Sequence, residues 1–451
     1  MDFSPVSPQR AKIYSCGPTV YRYAHIGNLR TYLLSDILVR LLRHMGYEVF
    51  HVKNITDVGH MRQELLERGE DKVIAAARAE GISPKEIAGF FTDAYLFDEG
   101  RMNFLPANRY PRASENIQES VDLIGALVEK GYTYERDGII YFDTEKHEEY
   151  GYLSGNIPGE LMEGYRMEED TRKNHPADFI LWRRAEPGRE MKWNSPWGEG
   201  FPGWHIECSA MALRYLGHEF DFHLGGSDLM FPHHENEIAQ ARCGAGAPFA
   251  RYWLHGGHLL VDGHKMSKSA GNEYTLDALQ EFGFTPMDFR YLCLEAHYRT
   301  VLNYTLEAQE GAKRGLARLR NLVSDLACEV DENRELKGKG ETLDGEFLAA
   351  CFRDLNMPKA LSVLWKALRS PLEKGIKAYL VRRWESVLGL KLLETVEEKG
   401  KVYPEVEELA EKRLAARKRK DFDEADRLRR ELLKLGYEIL DTADGYRIRK
   451  K

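Results

Sequence analysis

Lys12-Ile-Tyr-Ser-Cys16, Tyr23-Ala-His-Ile-Gly-Asn-Leu-Arg30 and Thr31-Tyr-Leu-Leu-Ser-Asp-Ile-Leu-Val-Arg-Leu-Leu-Arg43 follow one another within a short length of chain. The first reads as a strand. The last repeats its apolar residues at helical spacing, which predicts a helix over Asn28–Met45. Glu48–Ile55, "EVFHVKNI", supplies a second strand, and the βαβ unit that results places it parallel to the first, as half of a doubly wound sheet. At such a junction the helix N–H groups and the positive end of the helix dipole face a bound anion. A simpler reading makes His25, Gly27 and Asn28 a turn and an N-cap. Both readings stay open on these residues alone.

Outward from this unit the texture changes. From about 100 to 200 the chain is irregular, with strand-like "GIIYFDT", many Gly and Pro, and the charged run "LMEGYRMEEDTRKNHPADFILWRRAEPGRE", as suits an inserted domain. Periodicity returns in "FPGWHIECSAMALRYLG", a helix expected from about Ile206. Strand-like "EFDFHLGG" follows, then a helix from about Pro232, "PHHENEIAQARCG", so the sheet resumes after the insertion. "RYWLHGGHLLVDG" reads as a further strand and turn. Beyond about 275 nearly everything is helical in period up to Leu393, and the segment from about 400 has its own helices and two short strand-like pieces, "YEILDT" and "YRIRK".

The chain has 451 residues, more than one hydrophobic core, which predicts roughly three domains at about 100 to 200 residues each. No apolar run approaches the roughly 18 residues of a membrane span, and "MDFSPVSPQR" lacks a signal peptide's apolar core, so a soluble cytoplasmic enzyme with no membrane partner is expected. Six cysteines are scattered without a Cys-x-x-Cys pair, which speaks against a disulfide scaffold or zinc ribbon. A net charge of −8 argues against a protein that coats nucleic acid indiscriminately. Residues 411–451 nevertheless hold 14 Lys/Arg against 9 Asp/Glu, either a solvated helix face or a local basic surface.

A second informative stretch is Gly263-His-Lys-Met-Ser-Lys-Ser-Ala-Gly-Asn272. Two lysines, small hydroxyls and flanking glycines make a loop that can set ammonium charge on phosphates, or an ordinary solvated loop. The string Lys265-Met-Ser-Lys-Ser269, downstream of His25-Ile-Gly, is rarer than either element and resembles the paired HIGH and KMSKS signatures of class I aminoacyl-tRNA synthetases. Within that class "YSCGPTVY" (Tyr14–Tyr21), "NITDVGH" (Asn54–His60), "GWHIECSAM" (Gly203–Met211) and "GGSDLMFPHHENEIAQ" (Gly225–Gln240) resemble cysteinyl-tRNA synthetases. They stand in that family's order, and the tail "ARKRKDFDEADRLRRELLKLGYEILDTADGYRIRK" resembles its terminal domain.

The resemblance implies an α/β fold. It consists of a class I Rossmann-type parallel sheet with an inserted domain, followed by an α-helical bundle and a small C-terminal domain. The implied boundaries are 1–98 and 201–262 for the halves of the catalytic domain, 99–200 for the insertion, and 263–300 for the KMSKS loop and stem-contact region. The bundle takes 301–396 and the basic anticodon-binding domain 397–451. The implied reaction activates L-cysteine with ATP and Mg²⁺ to cysteinyl-adenylate and transfers it to the terminal ribose of tRNA(Cys), by a monomer. His25, Gly27 and Asn28 would meet the phosphates, with Lys265 and Lys268 closing over the pyrophosphate charge. Thr56, Trp204, Asp228 and His234 would lie around the substrate pocket, although Trp204 could as well be core packing. Tyr437 and Tyr446 are candidates to stack on anticodon bases.

His233 and Glu237 lie four apart on the expected helix and can share a face. Alone, such a pair is usually surface, and Cys16 and Cys208 could be buried small hydrophobes. By the resemblance, Cys16, Cys208, His233 and Glu237 bind one Zn²⁺. Cysteine and serine differ by one atom, a difference that packing resolves by only about 1–3 kcal/mol. A soft thiolate on zinc separates them, since a serine hydroxyl is a poor ligand. Two other classes share parts of this pattern. A cysteine:aminosugar ligase uses the same adenylate chemistry without the basic C-terminal domain. A non-catalytic tRNA-binding paralogue is raised by Asn28, where the signature has His.

Overall fold

The computed structural model describes residues 3–59, 61–63, 68–156, 171–266, 271–326, 336–393, 404–419, 421–434, 437–442 and 445–450. The chain divides into two compact units. One is Met1–Arg314 with Glu346–Val363 and Ser386–Leu388; the other is Gly315–Gly345, Leu364–Glu385 and Gly389–Lys451.

In the first unit β1 (Arg10–Ser15), α1 (Ile26–His44) and β2 (Glu48–Lys53) form the expected crossover, with the strands parallel from Arg10↔Glu48 to Ser15↔Lys53. A short antiparallel pair, β3 (Met61–Gln63) and β4 (Arg68–Asp71), leads into α2 (Lys72–Glu80) and α3 (Pro84–Arg101), and α4 (Ile117–Glu129) follows. Next, β5 (Thr133–Arg136), β6 (Ile139–Phe142), β7 (Phe179–Arg184) and β8 (Gly200–Pro202) make a separate antiparallel sheet in that order. Helix α5 (Trp204–Leu216) returns the chain to the parallel sheet. There β9 (Glu219–Gly226) pairs with β1 and β10 (Phe249–Gly256) lies outside it, giving the order β10-β9-β1-β2.

Apolar residues on the strands and on both sides of α1 cause this layering. Ala11, Ile13 and Tyr14 of β1 and Phe220 of β9 are fully buried, as parallel strands covered on both faces require. The strand order reverses between β1 and β9, so the crevice beyond their C-terminal ends is the topological switch point where open α/β sheets bind ligands. Everything that follows Ser15, Lys53, Gly226 and Gly256 is delivered to that edge.

Between β9 and β10 the helix α6 (Glu235–Ala239) is flanked by wide π-type turns at Met230–His234 and Gln240–Ala245. Beyond β10 a small sheet of β11 (Leu259–Val261), β12 (His264–Lys265) and β13 (Leu302–Tyr304) has the order β12-β11-β13; α7 (Leu276–Glu281) and α8 (Pro286–Leu294) lie between β12 and β13 in sequence. Strand β13 is an exception within a region expected to be nearly all helical beyond about 275. Three residues carry no readable period, and the strand exists through its parallel pairing to β11. Helix α1 starts at Ile26 rather than Asn28, and α5 at Trp204 rather than Ile206, because His25 and Gly203 are the caps.

The remaining helices are α9 (Leu306–Ser324), α10 (Lys339–Phe352), α11 (Met357–Arg369) and α12 (Lys374–Leu388). In the second unit α13 (Pro404–Lys418), α14 (Phe422–Lys434) and the hairpin β14 (Tyr437–Thr442) and β15 (Gly445–Lys450) enclose their own core of Val406, Ala410, Leu432 and Ile439. Tyr446 packs on that core, and of Tyr437 only the backbone is described. Among the described residues no helix is long and apolar enough to cross a membrane.

Candidate active site and metal centre

At the start of α1 the two readings of His-x-Gly-Asn combine. The Asn28 N–H donates to His25 Nδ1 and the His25 N–H donates to Asn28 Oδ1, both at 3.2 Å. This reciprocal capping box has Asn28 in the place usually taken by Glu or Gln. Burial, and then the charge of Arg22, push His25 down to about 4, so its ring is neutral near pH 7. With Nδ1 accepting, Nε2 carries the proton and remains a donor at the positive end of a 19-residue helix.

The second signature closes on the first. A Cβ at Gly27 would stand 2.4 Å from Met266 Cε, so glycine is required for the two motifs to touch. On the far side of the loop, the Ile26 N–H donates to Tyr274 O at 2.8 Å and Arg22 Nη1 donates to both Glu273 oxygens at 2.9 and 2.7 Å. Lys265, at the end of β12, is exposed, and its carbonyl accepts from Asn272 Nδ2. Residues on either side of the loop thus meet at the first turn of α1. Lys268 lies outside the described residues.

Cys16, Cys208, His233 and Glu237 converge, with one ligand atom from each within 4.8 Å of the others, and all four are buried. They come from the end of β1, from α5, from the wide turn before α6, and from α6 itself. Cys16 is set by its N–H on Leu224 O. Its neighbour Gly17 is held by Asn54, where a Cβ would clash with Asn54 O at 1.8 Å. The hydrogen bond from Cys16, helped by His233, pushes Cys208 down to about 6, while the same bond and burial hold Cys16 up. Against the cost of burial, Glu237 and Cys208 raise His233 to about 10, and His223 with His233 lower Glu237 to about 2.

The donor set is thus a thiolate and a carboxylate around a protonated imidazole, and a divalent cation fits where that proton stands. Glu237 Oε1 is 3.1 Å from His233 Nε2, an ion-pair separation at which the two atoms can share one ion. The other ring nitrogen, His233 Nδ1, lies 2.7 Å from His205 Nδ1, the outer hydrogen bond by which a ligating histidine is usually oriented. Two sulfurs, one nitrogen and one oxygen suit zinc. A second grouping of Cys16, His223, His234 and Glu237 shares two members. It would give up the His223 Nε2 to Glu237 Oε2 bond at 2.9 Å and one sulfur, so the first set is the better fit.

The pocket candidates fall into different settings. Trp204 is half-buried and stacks on His233, with centroids 4.4 Å apart, which puts it against a metal donor and not in the core. Thr56 is buried and accepts from Asn54 Nδ2 at 3.0 Å. Asp228 is exposed on the turn that follows β9. His234 is fully buried, with Nε2 3.5 Å from Cys16 Sγ and Nδ1 2.8 Å from His255 Nε2. His205, His223 and His255 escaped the sequence reading. His223 gave one signal, a histidine at an inward position of the apolar run "EFDFHLGG". The five described cysteines are all unbridged and buried, and Cys328 lies outside the described residues.

Residues 2–314 match the tRNA synthetases class I (C) catalytic domain, and residues 400–449 the Cysteinyl-tRNA ligase anticodon binding domain. The chain belongs to the cysteinyl-tRNA synthetase family. It is 41% identical to the Cysteine--tRNA ligase of Caldicellulosiruptor saccharolyticus, over 100% of this chain and 97% of that one. It is 42% identical to a Cysteine--tRNA ligase of Thermus thermophilus, over 99% and 96%. Among solved structures it resembles the methionyl-tRNA synthetase of Mycobacterium tuberculosis with methionyl-adenylate (TM-score 0.57, 17% identity, 86% of this chain and 92% of that one). It also resembles the LeuRS of Agrobacterium radiobacter K84 in a ternary complex with tRNA and LeuAMS (TM-score 0.60, 13% identity, 87% and 85%). At those identities the likeness shows the shared class I fold alone.

Proposed function

We propose that this chain is a cysteine--tRNA ligase that selects its amino acid at the Cys16, Cys208, His233 and Glu237 centre. The observation that carries the reading is the position of that centre at the switch point, beyond β1, the strand whose following helix brings Gly27 against Met266. Cys16, Cys208, His233 and Glu237 would hold a zinc ion there, which would supply a Lewis acid suited to a thiolate side chain. A hydroxyl competes poorly for it, and selection by packing alone would be worth about 1–3 kcal/mol.

The other steps belong to the chain. His25, neutral and capped by Asn28, donates Nε2–H toward the ATP phosphates, with the α1 dipole behind it. Lys265 and Lys268 bring positive charge to the pyrophosphate as it leaves. Trp204 covers a face of the His233 ring, and Thr56, Asp228 and His234 shape the amino-acid pocket. No tuned general base is needed, because the substrate carboxylate is the nucleophile and alignment does the work. The basic C-terminal unit reads the anticodon of tRNA(Cys). Under the same reading ATP arrives with Mg²⁺, and the protein works in the cytoplasm as a monomer.

Cysteine-dependent ATP–pyrophosphate exchange and cysteinylation of tRNA, measured together, test the proposal. Both activities are expected. Exchange without charging favours an aminosugar ligase, and neither activity favours a tRNA-binding paralogue. Removal of metal by a chelator should lower the preference for cysteine over serine by about a hundredfold or more, roughly 2.7 kcal/mol. Unchanged selectivity in metal-free protein overturns the zinc assignment.

A further inference from the structure

Arg30 stands five residues after His25 on α1 and is 7% exposed. Its guanidinium makes no ion pair among the described residues and instead donates to four backbone carbonyls. Nη1 reaches Gly257 O at 2.7 Å and His258 O at 2.6 Å; Nη2 reaches Thr300 O at 2.6 Å and His297 O at 3.4 Å. These carbonyls lie on the two segments that enter the small sheet. Residues 257–258 lead directly into β11, and 297–300 lead into β13, its parallel neighbour. Strand β12, paired to the other side of β11 through Leu260↔Lys265 and Val261↔His264, ends at Lys265, and Met266 follows it.

The two segments are pressed together where Arg30 grips them. The Gly257 N–H donates to Tyr298 O at 2.7 Å, and a Cβ at Gly257 would lie 2.5 Å from Thr300 O and 2.7 Å from Arg299 O. Four carbonyls converging in one place repel one another unless a cation with several fixed donors lies between them. A guanidinium has the planar fork for this, and an ammonium does not. Helix α1 is therefore joined twice to the root of the β11–β12 hairpin, to the segment entering β11 at Arg30 and to Met266, just past β12, at Gly27.

We propose that Arg30 is a positioning residue for amino-acid activation, a strut that fixes the distance between the His25 turn and Lys265. The proposal rests on the reading of His25 and Lys265 as ATP-phosphate contacts. A shift of about 1 Å in such a contact can cost on the order of a hundredfold in rate.

The test is a double-mutant cycle on cysteine-dependent ATP–pyrophosphate exchange with Arg30→Met, Lys265→Ala and the double variant. Zinc content and thermal midpoint are recorded for each. Arg30→Met should lower kcat by about a hundredfold, leave KM for cysteine within about twofold, and retain zinc. The double variant should lose no more than about threefold beyond the worse single variant. Should Arg30→Met fold poorly, Arg30→Lys replaces it in the same cycle, since it keeps the charge and loses the fork. Losses that multiply overturn the strut while leaving the site reading intact. A Lys265→Ala variant with full exchange overturns the site reading and removes what the strut would position.

Discussion

At the scale of single residues, His25 shows how a capping side chain can keep a second ring nitrogen free to donate. Its ring accepts from the Asn28 N–H, and it is held at about 4 by burial and then by Arg22, below the ordinary value of 6.5. The unfolded chain takes up a proton as pH falls through about 6.5, whereas the folded one does not until about 4. The His25 contribution to stability is therefore constant above that window and declines as pH falls through it. Imidazole NMR should show a ring titrating near 4 that disappears in His25→Gln, leaving His255, which burial also pushes down to about 4, and that variant should lose the corresponding slope of stability against pH. A His25 ring that titrates near 6.5 would show that the cap does not hold it neutral. At this scale the sequence was readable where the family resemblance gave a residue a candidate role, as for Cys16, Cys208, His233 and Glu237. His205 and His255 were not, because a histidine becomes an orienting partner only through distances such as the 2.7 Å between His205 and His233, which no spacing encodes.

At the scale of elements, β2 and α3 are fastened by a polar core. Lys53 ends β2, is 1% exposed, and its ammonium meets the Glu99 carboxylate of α3, which also accepts from Tyr95 and Tyr110 hydroxyls. The ammonium stands 5.3 Å from the Tyr32 ring centroid of α1, so three elements share the charge. Lys53→Met leaves Glu99 buried without its cation and should cost about 3–5 kcal/mol in urea unfolding, while Lys53→Met with Glu99→Leu should recover most of that. Equal losses in the single and double variants would show that the cost is packing and not the orphaned charge. The βαβ unit, α5 and the C-terminal hairpin were legible because their periods are long and their apolar faces one-sided. The segment 230–245 was legible only as a helix. Its wide turns bury His233, His234, Glu235, Asn236, Glu237 and Gln240 together, a polar run that a helix of regular period would have split between core and solvent.

At the scale of the molecule, activation and tRNA reading belong to different parts of the chain. The parallel sheet, both signatures and the four candidate metal donors lie within Met1–Arg314, and the C-terminal helices and hairpin have a core of their own. A chain ending at Leu393 should keep cysteine-dependent exchange within about threefold and lose about a hundredfold in kcat/KM for charging, roughly 2.7 kcal/mol. Loss of exchange as well would show that the C-terminal segment supports the catalytic unit. The sequence indicated this division through a change of texture near 400 and a local excess of basic residues, while the partition of 315–388 between the units depends on contacts distant in sequence. The spacing of the metal donors along the chain also bears on how the protein is made. Cys16 leaves the ribosome early and waits for more than two hundred further residues before Glu237 emerges, so the complete set of donors cannot close on an ion during the synthesis of the first half. Under the proposed zinc assignment, metal capture is therefore a late event that waits for three of the four parallel strands, β1, β2 and β9, to have been made.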